Sequence, residues 1–222
     1  MPGKRRERTG SIAPPRLPKT EPVADLPDEH LVDHGIYSSL VLSHGALSGQ
    51  VARGVTFEEV RFERVGLGGT RLAASHLRDV RFDTCDLAKA DWPKVELTRV
   101  EVVESRLLGF KAIEARIQDA TFRGCAATYA LFFAATFKRV RFEQCALGEA
   151  SFRGADLSGV VFDRCDLREA DMQGAKLAVA DFRGSRVEGL KVGLADLRGA
   201  VIDPAQAVAF AQLLGLVVTW DE

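Results

Sequence analysis

Four cysteines, Cys85, Cys125, Cys145 and Cys165, are the residues of this chain whose type most readily does chemistry, as metal ligands or redox thiols. Zinc-binding cysteines come in closely spaced pairs, whereas these stand 40, 20 and 20 residues apart. Ser105 and Ser185 share their twenty-residue phase, so the position selects a small side chain rather than a thiol. The histidines, His30, His34, His44 and His76, fall at other phases. No glycine-rich phosphate loop follows a strand-like run, and no nucleophile stands at a base-like spacing. The sequence therefore predicts no catalytic, cofactor-binding or metal site, and no enzyme.

The element that would place those cysteines comes from a second period. Every fifth residue from Phe57 to Ile202 is apolar without exception. With 46% apolar residues in the chain, chance gives such a run about once in 10^10 trials. Two residues before each of these centres stands a small residue (Ala, Val, Cys, Ser or Thr), except at Phe110 and Leu190. One large and one small inward residue per five fits neither a helix nor a plain strand. It fits a chain that turns a corner every five residues. The segments at 60–65, 80–85, 120–125, 140–145, 160–165 and 180–185 resemble one another at multiples of twenty, so four sides close one coil. Phe62, Phe82, Phe122, Phe142, Phe162 and Phe182 are then expected in one interior column, with Val102 as its gap. Coils stacked by backbone pairing at about 4.8 Å give a rod on the order of 36 Å long. The cysteines become core on one interior column. Side chains pointing inward in parallel have the wrong torsion for a disulfide, although their α-carbons would be close enough.

Ala155-Asp156-Leu157-Ser158-Gly159, Cys165-Asp166-Leu167-Arg168-Glu169 and Ala195-Asp196-Leu197-Arg198-Gly199 match the A(D/N)LXX pattern, and the chain resembles the pentapeptide-repeat family through them. The resemblance implies an all-β fold, a right-handed quadrilateral β-helix, over residues 55–204. Residues 34–54 form an N-terminal cap or degenerate first coil. The C-terminal cap is 205–222: Asp203 and Pro204 start a helix over Ala205–Leu214, Gly215 ends it, and Leu216–Trp220 form a closing strand. This ending resembles that of topoisomerase-protecting members, which implies either a cap alone or also a contact with a second copy. Residues 1–33 hold six of the eight prolines and are expected to be a disordered tail. Residues 1–20 carry a net charge of +5 and could touch an acidic surface or simply aid solubility.

Thirty basic and thirty-one acidic residues leave a net charge of −1, which demands neither nucleic acid nor membrane. No apolar run is long enough for a span, and no apolar segment follows the basic N-terminus as a signal would require, so a cytoplasmic location is expected. Over residues 55–204 the sides centred on Phe62, Leu67, Leu72 and Phe57 carry −1, −1, +2 and 0. The resemblance implies two roles: a scaffold for an unknown protein partner, or binding to DNA gyrase by imitation of duplex DNA, conferring protection from quinolones. No acidic face supports the second. The outward positions of two adjacent coils carry Leu108, Ile113, Tyr129, Leu131 and Phe133, a candidate contact for a partner or a second copy. Its alternative fate is to be covered by the tail, or to be a distorted corner that buries Phe110.

Overall fold

In the computed structural model, residues 11–17, 30–213 and 215–219 are described. The strands are β1 (Ile36–Ser43), β2 (Val51–Arg53), β3 (Thr56–Glu63), β4 (Arg71–Ala73), β5 (His76–Asp83), β6 (Glu96–Val103), β7 (Arg116–Arg123), β8 (Thr136–Glu143) and β9 (Val161–Asp163), followed by helix α1 (Pro204–Leu213). β1, β3, β5, β6, β7, β8 and β9 make one seven-stranded parallel sheet in that order, and β2 pairs with β4. The register is twenty residues at each step: Phe62 pairs with Phe82, and Phe82 with Val102. Isolated parallel bridges carry the same offset around the remaining sides, as in Gly66 to Asp86 to Arg106 to Ala126. The result is a parallel β-solenoid.

The corners explain why five is the period. From His34 to Gly189 every fifth residue has positive φ, whether glycine or not; Asp79 lies at 56° and Tyr129 at 59°. At Leu87–Ala90 and Ala127–Ala130 the amide of the fourth residue returns to the carbonyl of the first at 3.1 Å, with the left-handed residue third, as in a type II turn. Each left-handed non-glycine residue costs about 1–2 kcal/mol, which stacking must offset.

Inside, Phe62 stacks on Phe82 with centroids 4.8 Å apart, and Phe122, Phe142, Phe162 and Phe182 continue the column at 4.7, 5.4 and 5.3 Å. Val102 breaks it, as the sequence requires. Trp92, on the neighbouring column, gives its indole N–H to Thr70 Oγ1 at 2.9 Å, so the one polar atom of a large buried side chain is satisfied.

Phe110 is buried because the same coil carries the small Ala112 where adjacent coils carry Trp92 and Phe132. Its ring lies 5.3 Å from Trp92 and 6.2 Å from Phe132, filling the space that Ala112 leaves. Large and small have traded places within one coil, so the corner at Gly109 keeps the ordinary left-handed turn.

At the N-terminal end Ile36–Ser43 pairs with Thr56–Glu63 in register. The C-terminal end departs from the sequence expectation in two ways. There the apolar column loses its cover: Val192 and Leu197 are half-buried and Ile202 is 36% exposed. Among the described residues no further coil stacks on them. Finally, residues 216–219 form no strand, and Leu216 and Val217 are exposed; Trp220 lies outside the described residues. With the last coil already opened out, no paired edge continues for that segment to join.

Closure falls instead to α1. Asp203 Oδ1 accepts the Gln206 amide at 3.0 Å while Gln206 Oε1 accepts the Asp203 amide at 3.1 Å, a reciprocal N-terminal cap. Gln206 Nε2 then donates to the Phe182 and Ser185 carbonyls at 2.6 and 2.7 Å, and Phe210 packs edge-on against Phe182 at 6.2 Å.

Of the tail, residues 1–10 and 18–29 lie outside the described residues. Ser11–Leu17, expected to be disordered, rests on the rod with its Arg16 amide on Asp79 Oδ1 at 2.9 Å.

A candidate interaction corner

The candidate surface is built on the Tyr129 corner. A five-residue period that sends residues 130 and 132 inward must send 129, 131 and 133 outward, and the chain supplies Tyr, Leu and Phe there. Tyr129 is 52% exposed and Phe133 is 49% exposed, whereas Leu108, Ile113 and Leu131 are half-buried. Leu131 pairs with Lys111 across one coil step, and the Phe133 carbonyl accepts the Glu114 amide at 2.9 Å. That pairing sets Ile113 and Phe133 on one column of adjacent coils. The five residues the sequence singled out thus lie around one corner.

Beneath them the packing is dense. Phe132 has no exposed surface and stacks on Phe152 at 5.1 Å, with Phe137 at 5.7 Å. The corner backbone is therefore held by rings on its inner side. On the next coil the Glu149 carboxylate lies by the Tyr129 hydroxyl and raises the phenol above its ordinary range. Glu149, Asp166, Arg168, Glu169 and Glu188 line a shallow groove alongside. The apolar corner is therefore bordered by mostly acidic ground. Sequence reading found the apolar residues but not this border, because neighbours on the next coil become visible only when the sides are laid together.

Among the described tail residues, Ser11–Leu17 folds back elsewhere. Ser11–Leu17 meets Asp79, on the diagonally opposite corner.

The cysteines lie in the interior. Cys85, Cys125, Cys145 and Cys165 are buried and free, and each thiol donates to a carbonyl of the preceding coil, from Phe62 O to Phe142 O, at 3.4 Å. Ser185 makes the same bond to Phe162 O at 2.9 Å, so thiol and hydroxyl do one job in this column. Burial raises the Cys85 thiol; the adjoining Cys145 thiol together with burial raises those of Cys125 and Cys165. Its two neighbouring thiols bias the Cys145 thiol downward instead, but all four are sealed from solvent by the core. His76 meets Glu96 at 3.2 Å on the outside, away from them. Among the described residues no group of His, Cys, Asp or Glu is arranged to hold a metal ion, and no helix is long and apolar enough to cross a membrane.

Outward charges pair along the rod axis. Arg81–Glu101 (2.9 Å), Arg116–Glu96 (2.8 Å), Arg106–Asp86 (3.2 Å), Arg123–Glu143 (3.3 Å) and Lys176–Asp156 (3.4 Å) each join residues twenty apart. Exposed pairs of this kind add about 0–1 kcal/mol each, so their main effect is to cancel charge along each side.

Among solved structures the chain is similar to full-length QnrB1, a plasmid-mediated fluoroquinolone resistance protein, at 22% identity, covering 82% of this chain and 100% of that one with a TM-score of 0.36. It is also similar to HetL, a pentapeptide repeat protein involved in heterocyst differentiation regulation from the cyanobacterium Nostoc sp. strain PCC 7120. There the identity is 20%, over 76% of this chain and 85% of that one, with a TM-score of 0.37. No curated protein matches the sequence. The model of the pentapeptide repeat region matches residues 77–147, 104–171 and 135–207, more than half of the chain. With the twenty-residue register and the left-handed corners, that match makes this chain a member of the pentapeptide repeat family.

Proposed function

We propose that the protein is a non-enzymatic scaffold whose Tyr129 corner grips a protein partner. One observation carries the reading. Tyr129 and Phe133 stand half exposed on a rigid corner where other coils carry Lys89, Glu149 and Glu169, or Arg153 and Gln173. Aromatic anchors on a fixed backbone lose little side-chain freedom on binding, which is what recurrent contact residues require. The border of Glu149 and Glu188, beside the Glu169–Lys191 pair, suits a partner that sets basic residues beside an apolar anchor. Leu131→Ser combined with Phe133→Ser tests this. Loss of partner in a pull-down, with the mass in solution unchanged, is the expected result. A mass that falls to half would identify the partner as a second copy. If both stay unchanged, the corner is no contact.

DNA gyrase binding by imitation of duplex DNA is the competing role, and it needs a side dense in unpaired acid. Ion pairs that run along the rod remove that property, and no side over residues 55–204 falls below −1. In a supercoiling assay with a quinolone, micromolar protein is expected neither to inhibit gyrase nor to protect it. Either effect would restore this role.

A further inference from the structure

The corner diagonally opposite Tyr129 carries a second surface. Its residues on successive coils are Glu59, Asp79, Arg99, Asp119 and Arg139, all in the left-handed conformation. Asp79 and Asp119 stand two coil steps apart, or about 9.6 Å. Asp79 and Asp119 are nonetheless only 3% and 5% exposed.

Two kinds of neighbour bury them. Arg99 grips Asp79 through Nε and Nη2 at 2.6 and 2.5 Å, and Arg139 grips Asp119 the same way at 2.5 Å for both bonds. Gln118 adds a bond to Asp119 at 3.2 Å. The other neighbour is Ser11–Leu17: the Arg16 amide donates to Asp79 Oδ1 at 2.9 Å, and the Ala13 amide faces Asp119 closely enough to help lower its pKa. Burial pushes the Asp79 carboxyl up, but Arg99 and the Arg16 amide outweigh it and hold the group below its ordinary range. At Asp119 the Arg139 bond lowers the pKa against burial, with Gln118 and Ala13 contributing.

The spacing explains why this segment fits. Pro14 and Pro15 fix their own φ and bias the residues before them to extended backbone. A polyproline strand has three residues per turn and rises about 3.1 Å per residue, so the amides of residues 13 and 16 point one way about 9.3 Å apart. That matches two coil steps to within a few tenths of an ångström. Ile12 and Pro15, also three apart, are half-buried, whereas Ser11, Pro14 and Arg16 keep exposed side chains.

We propose that the Asp79–Asp119 corner is a recognition site for an extended proline-rich peptide with a basic residue after its prolines, held closed in cis by Ser11–Leu17. Two fixed carboxylates read two amides three residues apart, and the prolines remove much of the ordering cost that a flexible peptide would bear. Arg16 adds its charge beside Asp79. The site is separate from the Tyr129 corner, so either can fail without the other.

Amide hydrogen exchange on the full chain tests the cis contact. The amides of Ala13 and Arg16 are expected to exchange at least tenfold more slowly than in an unstructured peptide, independently of protein concentration. Asp79→Asn should release Arg16 and leave Ala13 protected, and Asp119→Asn the reverse. Unstructured rates at both amides would overturn the proposal, and protection that rises with protein concentration would assign the contact to a second copy. Recognition is tested with a labelled peptide of residues 11–17. It should bind full-length Pro14→Gly/Pro15→Gly protein at least tenfold more tightly than the parent, whose site is occupied. Adding Asp79→Asn and Asp119→Asn should abolish that binding, with far-UV circular dichroism confirming that the coils persist. Equal binding with and without the two carboxylates, or none at millimolar peptide, would overturn it.

Discussion

Gln206 does three things with one side chain: it completes the helix cap with Asp203 and satisfies the Phe182 and Ser185 carbonyls. A stacked β-helix must end on carbonyls and amides that no further coil can pair, and a buried unpaired carbonyl costs about 1–3 kcal/mol. Gln206→Ala leaves two such groups and opens the cap. It is expected to destabilise the protein by about 2 kcal/mol, read as a lower midpoint in denaturant, whereas Gln212→Ala on the same helix should change little. Asp-Pro at 203–204 identified the helix start from sequence alone. The tie from Gln206 back to the last coil did not show, because that bond spans more than twenty residues and depends on where the final turn leaves its carbonyls.

At the scale of the coil, the five-residue period assigns large and small residues to separate interior columns, and Phe110 with Ala112 breaks that assignment. Phe110 lies against both Trp92 and Phe132, which a corner position would not reach unless the intervening centre were small. Phe110→Ala should cost about 3 kcal/mol by leaving a cavity, and Ala112→Phe about the same by overpacking. The double variant restores the order of the neighbouring coils, so it should recover 2 kcal/mol or more of the summed loss in chemical denaturation. Costs that simply add would show that the two positions do not share space. Phe110 stood out in the sequence as a misfit, yet its partner passed as an ordinary apolar centre. Period and column membership were legible because every coil restates them, giving each position many independent votes. What happens once per molecule has no such repetition. The unpaired 216–219 segment and the docking of Ser11–Leu17 belong to that class. Composition correctly found few large apolar residues near the N-terminus, but Ser11–Leu17 is ordered by amides meeting carboxylates, a contact that hydropathy does not register.

Across the described residues, the sides are close to neutral and the charges pair between coils, which sets off the Tyr129 corner and the Asp79 corner as departures from that pattern. The uniform twenty-residue register also has a consequence for how such a chain can change length. Length here is quantised. Removing residues 145–164 brings Phe142 under Phe182 and rejoins Gln144 to Cys165 in phase, so the shortened protein should still melt cooperatively and show the same far-UV circular dichroism per residue. Removing 18 residues at that point should abolish the transition, since every later centre would turn outward, and removing 22 should do the same by forcing every later large centre onto the small inward position. Removing residues 91–110 is a different edit: the fold should reseal, but Asp79 and Asp119 would then stand one step apart, too close for amides three residues apart to reach both. The stack is thus also a graduated scale, on which inheritance can add or drop whole turns and thereby reset the distance between whatever the outside carries.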